Sequence, residues 1–281
     1  MGNALKARLA EPRIVVAPGV YDMVSLRIAD QAGFDLLYMT GFGVSASHLG
    51  LPDAGLATYT DMVGRVAVMA PAARTPLIAD GDTGFGGLIN VRHAVAGYEA
   101  AGAAGIQIED QELPKKCGHT QGRRVVAAED MAAKIKVAVE ARTSADFLIV
   151  ARTDARTSLG LDEALRRAEL YAKAGADVLF VESPESEKEM AQIGRAFHLP
   201  LVANMVPGGR TPPLSPARLQ ELGYRIALFP ITGLLASAAA LKSAYAHLKG
   251  APTAPPAMAF ADFNTMIGFP DIWDFEQRHL K

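Results

Sequence analysis

Acidic and amide side chains gather at the ends of short apolar runs in this chain. Asp80 and Asp82 close one run, Glu109 and Asp110 the next, Arg152 and Asp154 a third, then Glu182 and Asn204, with Tyr38 and Thr40 at the end of an earlier one. If the runs are neighbouring parallel strands, their ends meet on one rim. So many carboxylates around one mouth repel each other unless a cation sits among them. Oxygen donors favour Mg2+, with Mn2+ possible, over Zn2+, which prefers Cys and His. The plainer reading is that some of these acids cap helices or pair with arginines, Asp110 and Asp154 most readily. In Asp80-Gly81-Asp82, alternate strand residues face the same way, so both carboxylates can point at one ion. The run lacks the Lys-Ser/Thr of a phosphate loop.

Residues 112–126 are polar, basic and punctuated by glycine, the composition of a lid over an anionic substrate. Cys117 lies between Lys115-Lys116 and Gly118-His119, and nearby cations lower a thiol's pKa and fit it for proton transfer. The alternative is an inert buried thiol. His119 is a substrate contact or a solvated loop histidine. Lys115, Arg123 and Arg124 read equally as a solvated surface, the two arginines especially. Tyr38 is a base, a hydrogen-bond donor to substrate, or an ordinary strand-end aromatic. Arg152 needs an anion beside it, from substrate or protein. His48, His93, His198, His247 and His279 have no metal-ligand spacing.

The elements that must position these residues are eight strand–helix units. Candidate strands cover residues 14–19, 35–41, 76–82, 105–110, 147–154, 177–182, 200–204 and 225–231. Gly33, Gly102 and Gly175 stand where helices stop, and Asp22, Asn90, Asp162 and Ser215 where they start. Eight alternating units predict an α/β fold, a closed (β/α)8 barrel of the TIM type, with an open doubly wound sheet as the rival. The barrel is expected over residues 1–250. The Ala-rich segment 233–246 reads as a buried barrel helix. A helical tail, 251–281, carries Phe260, Phe263, Ile267, Phe269, Ile272, Trp273 and Phe275, which predict packing on its own barrel or on a neighbouring subunit.

The 281 residues are 50% hydrophobic and 21% charged, with a formal net charge of −2. That balance predicts neither nucleic acid nor an anionic membrane as partner. The single cysteine excludes an intrachain disulfide and suits a reducing, cytoplasmic compartment. No run approaches the roughly 18 apolar residues of a membrane span.

The ordered motifs Tyr38-Met39-Thr40-Gly41, Gly50-Leu51-Pro52-Asp53, Asp80 to Gly86, Ile108-Glu109-Asp110-Gln111, Lys115 to His119, Ala151 to Ala155 and Ala203-Asn204-Met205 resemble the isocitrate lyase and phosphoenolpyruvate mutase superfamily over about Pro18 to Ser237. The resemblance implies Mg2+ near Asp53, Asp80, Asp82 and Glu109, some acting through water. It implies a general acid at Cys117, with Arg152 and the backbone after Thr40, at Gly41, holding the carboxylate end of a small dicarboxylate. Gly118, His119, Glu182 and Asn204 would line the rest of the pocket. The Cys117-Gly118-His119 lid matches the carbon–carbon lyases rather than the mutases. A swapped C-terminal helix is also implied, in a homo-oligomer, dimer or tetramer. Pro207 stands where many short-chain lyases of this family have Glu, and Thr40 and Gln107 stand where methylisocitrate lyases have Ser and His. The chain therefore looks closer to alkylmalate lyases and oxaloacetate hydrolases than to methylisocitrate lyases.

Overall fold

The computed structural model describes residues 2–118 and 122–280. Its eight strands are β1 Val15–Val20, β2 Leu37–Met39, β3 Leu77–Asp80, β4 Gly105–Glu109, β5 Leu148–Thr153, β6 Val178–Val181, β7 Leu201–Asn204 and β8 Ile226–Phe229. All neighbours pair in parallel, and β8 returns to β1, so the sheet closes into a barrel. Every predicted strand is present, trimmed or shifted by a few residues.

In chain order the helices are α1 Gly2–Ala10, α2 Met23–Gln31, α3 Gly41–Val44, α4 Tyr59–Met69, α5 Leu88–Ala100, α6 Ala128–Ala141, α7 Ala155–Leu159, α8 Leu161–Lys173, α9 Glu187–Ala196, α10 Pro216–Glu221, α11 Thr232–Leu248, α12 Phe260–Ile267 and α13 Phe269–His279. Asp22 caps α2 and Ser215 caps α10, as their positions predict. Asn90 and Asp162 instead lie inside the first turns of α5 and α8. Asn90 Oδ1 still accepts the amide of Gly87, 3.1 Å away. Gly33, Gly102 and Gly175 take φ of +78°, +93° and +105°, the left-handed geometry that ends a helix.

Strand alternation decides what faces the axis. Leu36, Ile78, Val150, Phe180 and Val202 fill the barrel, joined at its foot by Leu5 and Leu9 of α1. The residues between them, such as Leu37, Ala79, Ile149, Leu179 and Ala203, pack outward against the helices. Two places further along the inward rows stand Tyr38, Asp80, Arg152, Glu182 and Asn204. The inward rows therefore run from apolar core to chemistry at the C-terminal rim, where such barrels hold their sites.

The Ala-rich helix does not behave as expected. No residue of α11 is buried, and Leu241, Tyr245 and Leu248 are exposed. The eighth helix thus does not close the outer ring as a buried barrel helix would. An apolar groove of about 500 Å3 remains beside its first turn, lined by Val16, Ile28, Ala29, Phe34, Phe229 and Gly233 among others. The tail docks α12 near α2 and buries Met266, while Phe260, Phe269, Ile272, Trp273 and Phe275 stay exposed.

Candidate active site

One cleft at the rim is lined by Tyr38, Thr40, Asp53, Asp80, Cys117, Gly118, Arg152, Glu182 and Asn204, all read from the sequence as site residues. Its apolar lining includes Phe42, Val206, Leu228, Pro230 and Ile231. Asp82 and Glu109 sit behind it. His119 lies outside the described residues.

Asp80 ends β3 with its carboxylate fixed by backbone. Oδ2 accepts from the Gly41 amide at 3.2 Å and Oδ1 from the Asp82 amide at 3.0 Å. A Cβ at Gly41 would stand 2.7 Å from that carboxylate, so only glycine allows this approach. Thr40 caps α3 through the Gly43 amide, 3.3 Å away, which holds α3 at the cleft's edge. Asp82 does not share a strand face with Asp80. β3 stops at Asp80, and Asp82 adopts φ +48°, a left-handed turn that sends its carboxylate to Lys115.

Lys115 is not a solvated loop lysine. It is buried, with Nζ 2.5 Å from Asp53 and 2.6 Å from Asp82. Burial opposes its charge, but Asp82, Glu109, Asp53 and Asp80 outweigh that and hold its pKa well above the usual lysine range. The Gly50–Asp53 loop and the stem of the cysteine loop thereby meet over the acid cluster. Arg123 is buried too, pairing with Asp154 and reaching Thr157 Oγ1 at 2.5 Å. Of Lys115, Arg123 and Arg124, only Arg124 is the exposed loop cation that the sequence suggests, 2.8 Å from Glu112.

Arg152 holds Asp154 through Nε and Nη2, both at 2.9 Å, and approaches Glu182 at 3.3 Å and Glu109 at 3.4 Å. Its guanidinium lies 5.1 Å from the Phe180 ring centre. Burial raises the pKa of the Asp154 carboxyl, but Arg152 and Arg123 overcome it and the net shift is downward. Asp110 is a structural acid, taking hydrogen bonds from Thr153, Tyr171 and Arg167.

Tyr38 cannot easily act as the base. Its hydroxyl donates to Gln107 Oε1 at 2.8 Å, and burial with Asp80 nearby pushes its pKa well above the usual phenol range. It is placed as a protonated donor. Gln107, the departure noted above, is its partner. Glu182 accepts from the Ser183 amide at 2.7 Å and from Asn204 Nδ2 at 3.0 Å. Ser183, which sequence reasoning missed, has φ +58° and donates from Oγ to the Gly118 carbonyl at 3.0 Å. A Cβ at Gly118 would fall 2.3 Å from Arg152 Nη2 and 2.8 Å from Glu182, so glycine is required where the loop crosses that pair.

Among the described residues, no three His, Cys, Asp or Glu side chains are gathered closely enough to enclose an ion by themselves. The cluster is nonetheless rich in buried oxygen donors. Burial pushes Asp82 up to about 7, against Lys115, and pushes Glu109 well above the carboxylate range, against Arg152. These carboxyls crowd around Lys115 and Arg152, and a further cation among them would favour their ionised forms. A hard ion taking one or two carboxylates and keeping its waters fits this donor set, which is how Mg2+ is usually held.

Residues 5–249 match the family model described as phosphoenolpyruvate phosphomutase. The chain is 47% identical over 285 residues to 2,3-dimethylmalate lyase of Eubacterium barkeri, covering 99% of each. It superposes on a crystal structure of 2,3-dimethylmalate lyase, described as a PEP mutase/isocitrate lyase superfamily member, with a TM-score of 0.92 at 37% identity, covering 99% of this chain and 94% of the other. It also superposes on oxaloacetate acetylhydrolase in complex with 3,3-difluorooxalacetate, with a TM-score of 0.94 at 34% identity, covering 98% and 96%. The chain belongs to the PEP mutase/isocitrate lyase superfamily, as one of its carbon–carbon lyases.

Proposed function

We propose that this chain cleaves the Cα–Cβ bond of a 2-hydroxydicarboxylate of the alkylmalate or 2-methylisocitrate type, releasing an α-keto acid and a second carboxylate. The observation that carries this is Cys117 lining one cleft with Arg152, Tyr38 and Asp80. Mg2+ is the proposed cofactor, and Asp53, Asp80, Asp82 and Glu109 are the residues that would hold it, some through water. When bound it would act as a Lewis acid toward the α-oxygen.

This chain's own groups divide the remaining work. Arg152 holds the carboxylate end beside the Thr40–Gly41 turn, and the Tyr38 hydroxyl, its own proton given to Gln107, lines the cleft next to it. The hydroxyl proton passes to a carboxylate of the cluster, where Asp53 and Asp80 line the cleft. The Cα–Cβ electron pair leaves with the second fragment as an enolate, and Cys117 returns a proton to that carbon. Glu182 and Asn204 brace the far side. The apolar wall of Phe42, Val206 and Ile231 suits the alkyl substituents of such an acid.

The test is α-keto acid release from 2,3-dimethylmalate, simpler alkylmalates, 2-methylisocitrate and isocitrate, with and without EDTA. A second reading, hydrolysis of an oxaloacetate-like keto acid, is favoured by the TM-score of 0.94 against oxaloacetate acetylhydrolase. Loss of oxaloacetate with silence on every hydroxy acid would select it.

We further propose that a second copy of this chain covers the exposed eighth helix. α11 has no buried residue, and an apolar groove beside α2 and β1 is left open where an eighth barrel helix would lie. Exchange of α11 and the aromatic tail between copies accounts for both, giving a dimer or a tetramer built as a dimer of dimers.

A further inference from the structure

The amide side chain of Gln111 occupies a place the proposed chemistry does not use. It is 2% exposed and sits at the root of the cysteine loop. Its Oε1 accepts from the Lys116 amide at 2.9 Å, and its Nε2 donates to the Lys116 carbonyl at 2.8 Å. Nε2 also donates to Glu109 Oε1 at 2.9 Å. One carboxamide therefore captures both backbone groups of Lys116, as a neighbouring strand would, while its second N–H holds a carboxylate of the acid cluster. The amide has only one workable orientation, since turning it over would set its oxygen against Glu109 and a carbonyl.

The root itself is fixed. Gln111 pairs antiparallel with Val125, the Glu112 amide bonds Arg124 at 2.9 Å, and the Val126 amide bonds Asp110, also at 2.9 Å. With both strands of the stem pinned, the Gln111 side chain carries position outward to the peptide before Cys117, between the Lys115 anchor in the acid cluster and the Ser183 bond to the Gly118 carbonyl. We propose that Gln111 is a positioning residue, setting the Cys117 thiol against the acid cluster by clamping Lys116 to Glu109. The acid role of Cys117 rests on the lyase reading above; the placement of the thiol does not.

Cys117 is the only cysteine, so its alkylation by iodoacetamide can be followed by mass without interference. Gln111→Leu keeps the size and removes all three bonds. Gln111→Glu keeps the acceptor and removes both donors. Arg124→Ala, an exposed residue of the same stem, is the control. Loss of the clamp should raise the alkylation rate of half-buried Cys117 by about tenfold or more in both Gln111 variants, because local opening becomes easier. In the same variants kcat should fall about a hundredfold, with KM within about threefold. Arg124→Ala should match wild type in both. Alkylation of a folded Gln111 variant at the wild-type rate overturns the proposal, whatever happens to turnover. If Gln111→Leu fails to fold by circular dichroism, Gln111→Glu is read alone. Faster alkylation with unchanged turnover would keep the clamp and remove Cys117 from the chemistry, so the two readings fail separately.

Discussion

At the residue scale the proposed cleavage depends on which groups carry protons. Cys117→Ser should lower kcat by about a hundredfold or more while leaving substrate affinity nearly intact, because a serine hydroxyl is a far weaker acid in the same place. Steady-state kinetics on the true substrate checks this. Asp82 gives a second prediction. Its carboxyl is pushed up to about 7 by burial, opposed by Lys115. A proton and a divalent ion compete for the same oxygens, so ion binding is favoured above that value and lost as pH falls through it. Mg2+ affinity measured by calorimetry should therefore weaken steadily from pH 8 to pH 6. A flat profile would remove Asp82 from the ion's surroundings. Gly118→Ala gives a third, since its Cβ would meet Arg152 at 2.3 Å. Turnover should drop by at least about tenfold while the melting temperature moves little, because the clash is confined to the rim.

At the scale of elements, much of the site was legible because strand alternation carries it. Residues two places apart on one face include core followed by chemistry: Ile78 then Asp80, Val150 then Arg152, Phe180 then Glu182. What stayed hidden lay in turns and loops. Asp82 reaches the cluster through a left-handed turn rather than a strand face, and Ser183 reaches Gly118 the same way. Lys115 and Arg123 looked solvated because a polar, glycine-rich loop gives no sign of which cation the buried acids will draw in. Arg123 neutralises Asp154 with both side chains buried. Arg123→Leu should destabilise the protein by on the order of 3 kcal/mol, because it strips one of the buried Asp154's two arginine partners. Denaturant unfolding checks this, with Arg124→Leu expected to change stability by less than about 0.5 kcal/mol.

For the whole molecule, the barrel and its closure were readable from eight apolar runs and three glycine stops. The fate of α11 was not. An Ala-rich apolar helix looks the same in sequence whether it lies on its own barrel or on another. Here only its beginning meets β1, and Leu241, Tyr245 and much of the aromatic tail stay exposed while a groove remains open beside its first turn. That pattern underlies the proposed exchange between copies. Light scattering should give a mass two or four times that of one chain, and Leu241→Asp combined with Tyr245→Asp should shift it toward the monomer. A wild-type monomer at micromolar concentration would contradict the exchange.

The most direct test of the central claim is Mg2+-dependent release of an α-keto acid, followed by a coupled hydride-transferring dehydrogenase, across the hydroxy-acid panel. Release is expected from one alkyl-substituted 2-hydroxydicarboxylate, abolished by EDTA and cut about a hundredfold or more by Cys117→Ser. Full activity of Cys117→Ser on that acid, or no keto acid from any member while oxaloacetate is consumed, would contradict it.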